Sequence, residues 1–367
     1  MTIDITAACI LEPGGPFTLR EVQLAEPGPG EVLIEIRGMG LCHTDIAARF
    51  GLPAPMVLGH EGSGVVAAVG PEVSRVAVGD HVAVSFASCG ECAQCRRDQP
   101  AYCVRFAELN YGGGLRADGT TPIQADGQNV ASAFFGQSSF ASHALAAERN
   151  VVKVDPSVPF EVVGPLGCGL QTGAGAVMNS LDCRPGESIL ITGAGPVGLA
   201  AVMAAKERGL TTIIVSDLDA QRRGLAEELG ATATIDPTAG GLAEQVRGII
   251  PDGVDYAFDN TGVPQVLQDA VGAIAPLGTL GFVGVPQDMA ATFELPIVPA
   301  MVTGLTVRGI TEGDSDPATF IPYLIELYRA GKFPVDRLIS SFPFEEIEQA
   351  VKAQAAGEAV KVVLVRS

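Results

Sequence analysis

Four cysteines lie within 15 residues, in the order Cys89-x2-Cys92-x2-Cys95-x7-Cys103. Thiolates so closely spaced are typical of a closed, tetrahedral Zn²⁺ site with a structural role. The alternative is an iron–sulfur cluster, because the first three cysteines have the bacterial ferredoxin spacing. That motif ends with x3-Cys-Pro, whereas seven residues separate the last two cysteines here, so the pattern favours structural zinc.

Three more metal-binding side chains lie far apart in the chain, each in apolar or glycine-rich surroundings. They are Cys42, His60 and Cys168. Any one of them alone is more typical of a structural residue than of a functional one. Together they offer the Cys2His ligand set of a catalytic zinc, whose fourth position stays open. We therefore predict a second metal site, formed by residues that the fold must bring together.

A glycine-rich turn between a predicted strand and a predicted helix indicates dinucleotide binding. The chain reads Gly193-Ala-Gly195-Pro-Val-Gly198 directly after the apolar run 188–192. The first glycine permits a tight turn, the second lets the backbone approach a pyrophosphate, and the third lets the helix pack closely on the strand. The alternative is that the glycines only tighten a strand–helix turn. The flanking elements favour the dinucleotide site, with the anion at the helix N-terminus.

The residue that ends the next predicted strand selects the cofactor. Asp217 lies 24 residues after Gly193, where an acid binds the adenosine ribose diol. A carboxylate there would repel the 2′-phosphate of NADP, so NAD is the predicted cofactor. Arg222 and Arg223 leave an alternative, because a nearby cation can accept that phosphate. Their simpler interpretation is as solvated residues early in the next helix.

The elements that must position these residues differ between the two parts of the chain. Up to about residue 165, short strands such as Glu31–Arg37, Gly62–Val69 and Asp80–Ser85 alternate with glycine- and proline-rich turns. This pattern is typical of an all-β barrel or sandwich. Residues 108–137 have little periodicity and are predicted to form a long surface loop.

From about residue 169, predicted strands alternate with predicted helices. Such alternation indicates a parallel, doubly wound sheet, so the fold class is α/β. The predicted strands are Ser188–Thr192, Thr212–Asp217, Ala233–Ile235, Tyr256–Asp259, Gly278–Val283 and Val360–Val365. The predicted helices are Val197–Arg208, Ala220–Leu229, Pro264–Ile274, Ala318–Ala330 and Phe344–Ala355.

Composition and charge exclude some classes of partner. The chain has 367 residues, 47% of them hydrophobic, and its formal net charge is −19. Such an acidic protein should repel phosphate backbones and anionic lipid, which argues against nucleic-acid and membrane partners. The longest apolar run, 189–205, is interrupted by glycines and a proline, and the N-terminus has no basic segment. We therefore expect a cytoplasmic protein, in which eight cysteines point to metal binding or catalysis before disulfides.

The motifs occur in an order that resembles the zinc-dependent medium-chain alcohol dehydrogenases. They are Gly-x-Cys42-His-Thr-Asp45, Gly59-His-Glu-Gly62, the four-cysteine cluster and the downstream GxGxxG. The segments 164–177 and 85–89 resemble the benzyl (aryl) alcohol dehydrogenase branch. The resemblance implies a GroES-like, β-rich catalytic domain at 1–168 and 305–367. A Rossmann NAD-binding domain at 169–304 would interrupt it.

The resemblance also implies roles for individual residues. Cys42, His60 and Cys168 would bind the catalytic zinc and the four-cysteine cluster the structural one, giving two Zn²⁺ per chain. Glu61 would be a carboxylate that can swap in as a ligand, and Asp45 would orient His60 through its free ring nitrogen. The residues implied to contact NAD, besides the glycines and Asp217, are Thr172, Val285, Arg222, His43 and Lys361, the last two as cations near the pyrophosphate.

The implied reaction is the reversible oxidation of primary alcohols to aldehydes, with hydride transfer to NAD. Thr44 would take the hydroxyl proton and pass it to the nicotinamide ribose. Many relatives have a histidine five residues after the first metal ligand, but this chain has Ala47, so water or His43 would complete the relay. The aryl branch implies benzyl-type, cinnamyl or terpenoid alcohols, with Phe86 and Phe140 as candidate pocket walls. The family also implies a homo-oligomer, either a dimer or a tetramer.

Three other functions compete with this reading. Short-chain aliphatic alcohols are an alternative substrate class within the same family. A non-catalytic NAD-binding sensor or scaffold would keep the fold and lose a metal ligand, yet Cys42, His60 and Cys168 are all present. A zinc-module nucleic-acid binder is disfavoured by the charge of −19.

Overall fold

The chain folds into two compact units in a computed structural model that describes residues 2–116 and 118–366. The first unit extends to Gly169 and also includes Asp316–Glu326 and the chain from Val335 onward. The second unit comprises Leu170–Ser315 and Leu327–Pro334. The chain therefore leaves the first unit to build the second and then returns.

The first unit is built on two sheets. A five-stranded antiparallel sheet has the order β4-β1-β2-β7-β8, and a larger sheet has the order β10-β6-β5-β3-β18-β17, with β9 also paired to β3. These strands are β1 (Thr2–Ile10), β2 (Phe17–Ala25), β3 (Glu31–Gly40), β4 (Met56–Val57), β5 (Gly62–Val69), β6 (His81–Val84), β7 (Ile123–Ala125), β8 (Gln128–Val130), β9 (His143–Ala147), β10 (Val151–Lys153), β17 (Ile339–Pro343) and β18 (Lys361–Val365). A contiguous apolar core packs between them, formed by residues such as Ile10, Ile34, Val82 and Phe134.

The strand β18 is inserted in the larger sheet between β3 and the edge strand β17. β18 pairs antiparallel with β3, with Leu364 opposite Met39, and parallel with β17. This register brings Lys361 next to the end of β3, where the Leu41 amide donates to the Val362 carbonyl. The helices of this unit are α1 (His43–Gly51), α2 (Phe106–Tyr111), α3 (Phe160–Val163) and α11 (Ile347–Ala355), and α10 (Pro317–Arg329) contributes its first part.

The second unit contains a six-stranded sheet in which every pair of neighbours is parallel. Its strands are β11 (Ser188–Thr192), β12 (Thr212–Ser216), β13 (Ala233–Ile235), β14 (Val254–Asp259), β15 (Ile274–Phe282) and β16 (Thr306–Gly309). The order β13-β12-β11-β14-β15-β16 is the 3-2-1-4-5-6 order of the Rossmann fold. The predicted fold class, a β-rich GroES-like domain plus a doubly wound α/β domain, is confirmed.

Six helices accompany this sheet: α4 (Gly169–Gly175), α5 (Pro196–Glu207), α6 (Ala220–Leu229), α7 (Leu242–Ile249), α8 (Pro264–Ala273) and α9 (Ile297–Thr303). α5 is buried from Gly198 to Ala205, because glycine and apolar residues fill every position there. Pro196 occupies its first turn, where no intrahelical N–H is needed. α9 is the opposite case, since it has no buried residue.

The return to the first unit comes later than predicted. The sequence placed it at residue 305, but β16 pairs with β15 and so belongs to the parallel sheet, and the first unit resumes at Asp316. The predicted surface loop 108–137 is also partly wrong, because it contains the β7–β8 hairpin and ends in a buried turn, Phe134–Gly136. In the described part of the chain, no helix combines the length and apolarity that a bilayer span requires.

Candidate metal and dinucleotide sites

Asp45 joins the two segments that carry Cys42 and His60. Cys42 is the N-cap of α1, and its amide donates to Asp45 Oδ2 at 3.0 Å, as in a capping box. The other oxygen of Asp45, Oδ1, accepts from His60 Nδ1 at 2.9 Å and from the Gly59 amide at 3.1 Å. The carboxylate is fully buried, so these three bonds replace its hydration. The predicted Asp45–His60 contact is thus present, and it leaves His60 Nε2 for another partner.

Cys168 is held in place by a buried turn in front of it. The turn Gly164–Gly167 is buried throughout, and the Ser85 hydroxyl donates to the Gly167 carbonyl at 2.6 Å. A side chain at Gly167 would meet the Val84 carbonyl oxygen at 2.3 Å, so only glycine fits there. The backbone of β6 therefore fixes where the Cys168 thiol can lie.

Cys42, His60, Glu61 and Cys168 converge. One ligand-type atom from each lies within 4.8 Å of the others. His60 and Glu61 are fully buried, and Cys168 is nearly so. Four side chains from three distant segments thus form one cluster inside the first unit.

The cluster has the properties of a cation site. His60 Nε2 is buried without a hydrogen-bond partner among the described residues, which is costly unless an unseen group occupies that direction. The neighbouring Cys168 thiol, together with the His60 imidazole, holds the pKa of Cys42 well below its ordinary value despite burial. Burial alone would lower the pKa of His60, but the Asp45 carboxylate raises it. Two thiols, one oriented imidazole and a carboxylate suit Zn²⁺.

Lys361 contacts Glu61 inside the same cluster. Its Nζ lies 2.5 Å from Glu61 Oε2 and donates to the Leu41 carbonyl at 3.1 Å. Both side chains are buried. Burial opposes the charged form of each group, yet the neighbouring anions raise the pKa of Lys361 above its ordinary value. The Lys361 ammonium therefore lies between the Glu61 carboxylate and the Leu41 carbonyl.

Aromatic rings line one side of His60. Phe135 stacks on the imidazole with ring centroids 4.5 Å apart, and Phe134 meets it edge-on at 5.5 Å. Gln137, two residues later, accepts from the Gly62 amide and donates to the His60 carbonyl. These residues were not predicted, although the aromatic pair Phe134–Phe135 directly before Gly136 was a signal for them.

The two rings named from the sequence as candidate pocket walls, Phe86 and Phe140, each pack against another aromatic ring. Phe140 is fully buried against Phe17, with ring centroids 5.6 Å apart, and its amide bonds to the Leu58 carbonyl. Phe86 contacts Phe106 at 5.7 Å. The rings that the structure places against His60 are those of Phe134 and Phe135.

The four-cysteine cluster also comes together. Cys89, Cys92, Cys95 and Cys103 present thiols within 4.8 Å of one another, and none forms a disulfide. Backbone N–H groups of Cys95 and Val104 lower the pKa of Cys92 to about 6, whereas burial raises the pKa of Cys103 to about 12. Four thiols this close ionise together only if a cation compensates their charge, and a tetrahedral metal would do so.

Thr44 and His43 follow the first ligand at the start of α1. The Thr44 hydroxyl lies 3.7 Å from Cys42 Sγ, so it is adjacent to the candidate metal site. His43 and Ala47 are exposed. Of the two candidate relay groups, the Thr44 hydroxyl thus contacts the ligand thiol, whereas the His43 side chain is exposed to solvent.

The glycine-rich loop has the geometry that its sequence predicts. Gly193 has φ +94° and links β11 to the turn, a conformation that favours glycine. A side chain at Gly198 would meet the Gly193 carbonyl oxygen at 1.8 Å, so α5 packs directly on the loop. Apart from its two chain neighbours, no atom of the described residues lies within 4 Å of the corresponding point at Gly195, which leaves the N-terminus of α5 open to an approaching phosphate.

Asp217 closes the other side of this loop. Its Oδ2 accepts from the Ala194 amide at 2.6 Å and its Oδ1 from the Asp219 amide at 2.8 Å. Arg223 turns away to the Asp217 carbonyl and pairs with Asp236 at 3.2 Å. Arg222 Nε has no hydrogen-bond partner in the described part of the chain. The Arg223 guanidinium is therefore held by neighbouring groups of the second unit.

The remaining two predicted NAD contacts lie in the second unit, Thr172 on α4 and Val285 in the loop after β15. Thr172 is buried, and its hydroxyl lies 3.5 Å from Glu312 Oε2. Val285 is exposed and follows β15. Glu312 was not singled out from the sequence, because it stands in a polar Glu-Gly-Asp turn that resembles an ordinary surface loop.

Comparison with known proteins defines the class. Residues 28–156 match the alcohol dehydrogenase GroES-like domain, and residues 196–330 match the zinc-binding dehydrogenase family. The chain belongs to the zinc-dependent medium-chain alcohol dehydrogenases, as its motifs predicted. It is an oxidoreductase of that family.

Individual relatives are similar over their whole length. The chain is 45% identical over 366 residues to geraniol dehydrogenase from Castellaniella defragrans, covering 99% of this chain and 98% of that protein. An alcohol dehydrogenase zinc-binding domain protein from Burkholderia ambifaria has a TM-score of 0.98 and 46% identity, with both chains fully covered. Benzyl alcohol dehydrogenase from Acinetobacter calcoaceticus has a TM-score of 0.95 and 40% identity, again with full coverage.

Proposed function

We propose that this protein oxidises benzyl-type or allylic, terpenoid-like primary alcohols to aldehydes, reversibly, with hydride transfer to NAD. The observation that carries the proposal is the convergence of Cys42, His60 and Cys168 in one buried cluster. The glycine-rich loop of the second unit would bind NAD, which accepts the hydride. The relatives named geraniol dehydrogenase and benzyl alcohol dehydrogenase support this substrate class.

Cys42, His60 and Cys168 would hold one Zn²⁺, and the four-cysteine cluster a second. When bound, the first zinc supplies a Lewis acid that polarises the alcohol oxygen. Asp45 keeps the His60 ring oriented through the bond at Nδ1. Thr44 accepts the hydroxyl proton and passes it on, with His43 or water at the end of the relay because Ala47 cannot take part.

The aromatic rings beside His60 support a substrate with a flat, apolar tail. The test is a panel of benzyl alcohol, cinnamyl alcohol, geraniol and ethanol, in which NADH formation is measured as kcat/KM. We expect benzyl alcohol or geraniol to exceed ethanol, since Phe134 and Phe135 contribute apolar area near the ligand histidine. A higher kcat/KM for ethanol would assign the protein to short-chain alcohols, and no NADH with any alcohol would favour a sensor or scaffold.

A matched pair of variants tests the role of these rings. Phe135→Leu should lower the ratio of kcat/KM for benzyl alcohol to that for ethanol by roughly threefold to tenfold, because an aromatic contact contributes about 0.5–1.5 kcal/mol. Phe140→Leu is the control, since Phe140 is equally buried but packs on Phe17. If the ratio of kcat/KM changes equally in the two variants, Phe135 does not contact the substrate.

Asp217 underlies the proposed preference for NAD. We expect kcat/KM with NAD to exceed that with NADP by about tenfold or more, a ratio that ~1.4 kcal/mol of carboxylate–phosphate repulsion produces. Asp217→Ser should bring kcat/KM with NAD and kcat/KM with NADP closer together. Arg222→Ala should lower only kcat/KM with NADP, because Arg222 Nε has no hydrogen-bond partner among the described residues. Comparable values for both cofactors in the unaltered enzyme would contradict the assignment.

We also propose a homo-oligomer, a dimer or a tetramer, in the cytoplasm. β16 is an edge strand of the parallel sheet. The helix α9 that precedes it exposes Ile297, Val298, Met301 and Val302. Exposed apolar side chains beside an unpaired strand edge favour association with a second copy. A reducing compartment suits cysteines that bind metal.

A further inference from the structure

The buried contact between Lys361 and Glu61 is not explained by the steps of the proposed reaction, yet it lies inside the metal cluster. We propose that Lys361 is a positioning residue that holds Glu61 away from the metal and so limits the site to three protein ligands. The inference rests on the proposed function, because it requires a cation at Cys42, His60 and Cys168.

Glu61 has two competing positive partners. One of its oxygens lies within 4.8 Å of the candidate ligand atoms of Cys42, His60 and Cys168, so the carboxylate is close enough to reach a shared cation. Its Oε2 instead lies 2.5 Å from Lys361 Nζ. Its Oε1 accepts from the Gly169 amide at 3.1 Å. The Lys361 ammonium therefore binds the Glu61 carboxylate and restrains it from turning toward the metal.

The fold fixes Lys361 more firmly than an exposed lysine. Its ammonium donates to the Leu41 carbonyl, and the Leu41 amide bonds to the Val362 carbonyl at 3.0 Å. A side chain at Gly40 would meet Glu61 Oε2 at 1.8 Å, so the glycine creates the space for the carboxylate. The end of β3 and the start of β18 thus form a pocket for this pair.

Charge explains why a cation is needed there. Two thiolates and one carboxylate carry three negative charges, which a dication and one ammonium together neutralise. Without Lys361, the buried Glu61 would lose its counter-charge, and the metal would be the remaining strong partner within reach. A carboxylate ligand would then fill the position that catalytic zinc keeps open.

Zinc competition with a chelator tests the inference. The variants are Lys361→Met, Glu61→Gln and the double substitution, and Cys168→Ser identifies which bound zinc belongs to this site. We expect Lys361→Met to raise zinc affinity about tenfold, in the range of changes caused by residues behind metal ligands. In the Glu61→Gln background the same substitution should have no effect, because Lys361 acts only through the carboxylate.

The cobalt-substituted enzyme provides a second readout. Imidazole added to the wild-type or double-variant protein should shift the visible Co²⁺ absorption, since a coordination position is open, whereas Lys361→Met should not respond. Lys361→Met alone leaves the Glu61 charge buried without a partner and so can fold poorly. The double variant lacks both the Lys361 and the Glu61 charge and avoids this problem. Lys361→Arg is a further control: it retains the positive charge and should keep wild-type zinc affinity and imidazole response.

An unchanged or lower zinc affinity in Lys361→Met would overturn the inference. An equal rise in zinc affinity when Lys361→Met is added to Glu61→Gln would also overturn it. So would a loss of zinc affinity or of the imidazole response in both Lys361→Arg and the double variant. Failure of the proposed function looks different. In that case, the wild-type protein and Cys168→Ser contain the same amount of zinc, because no zinc is bound at this site.

Discussion

Cys168→Ser is expected to remove one of two zinc ions per chain and to lower alcohol oxidation by roughly 10³-fold or more. The Cys168 thiol converges with Cys42 and His60, and its place is fixed by the Gly164–Gly167 turn. A Lewis-acid metal contributes several kcal/mol to such a reaction, and each ~1.4 kcal/mol is a factor of ten in rate. Elemental analysis and NADH formation with benzyl alcohol measure the two effects.

Cys183→Ser is the matched control for this experiment. Cys183 is buried like Cys168, but it lies in the second unit, outside both cysteine clusters. The control should retain two zinc ions and wild-type turnover. If Cys168→Ser behaves like Cys183→Ser, Cys168 is not a metal ligand and the catalytic site must be sought elsewhere.

Thr44→Ala is expected to lower kcat by roughly 10²–10⁴-fold, the usual contribution of a positioned acid–base group. The hydroxyl lies 3.7 Å from Cys42 Sγ, and His43 beside it is exposed. Steady-state kinetics measure the loss, and zinc content and NADH binding should stay unchanged. Thr44→Ser keeps the hydroxyl and should restore most of the activity. Wild-type turnover in Thr44→Ala would mean that the proton leaves by another route.

The parallel sheet could be predicted because burial on both faces leaves a clear pattern. β11 and β12 are continuous apolar runs, and their predicted positions, Ser188–Thr192 and Thr212–Asp217, agree with the structure to within one residue. α5 follows from the glycine-rich turn and the small apolar residues after it. In these elements the local sequence determines the structure almost alone.

The candidate metal cluster could be predicted only in part. The motif around Cys42 identified Asp45 as the partner of His60, since the family resemblance implied that contact. In the structure, Asp45 also accepts from the Cys42 amide at the start of α1, so the same carboxylate links Cys42 to His60. The helix α1 itself was not predicted, since its short sequence includes the exposed residues His43 and Phe50 and has no clear apolar face.

The Lys361–Glu61 pair could not be predicted, because it depends on a strand register across 300 residues of chain. β18 reaches Glu61 only because it inserts beside β3, with Leu364 opposite Met39. The aromatic rings at His60 were missed for a similar reason. Phe134 and Phe135 follow a segment of weak periodicity, and long-range hydrogen bonds from Gln137 hold that segment in place.

The most direct test of the central claim is anomalous diffraction at the zinc absorption edge from crystals of the unaltered protein. Our account expects two peaks per chain, one among the four thiols of the Cys89–Cys103 cluster and one bonded to Cys42 Sγ, His60 Nε2 and Cys168 Sγ. A map with density only at the four-cysteine cluster, from protein that still oxidises alcohols, would contradict it.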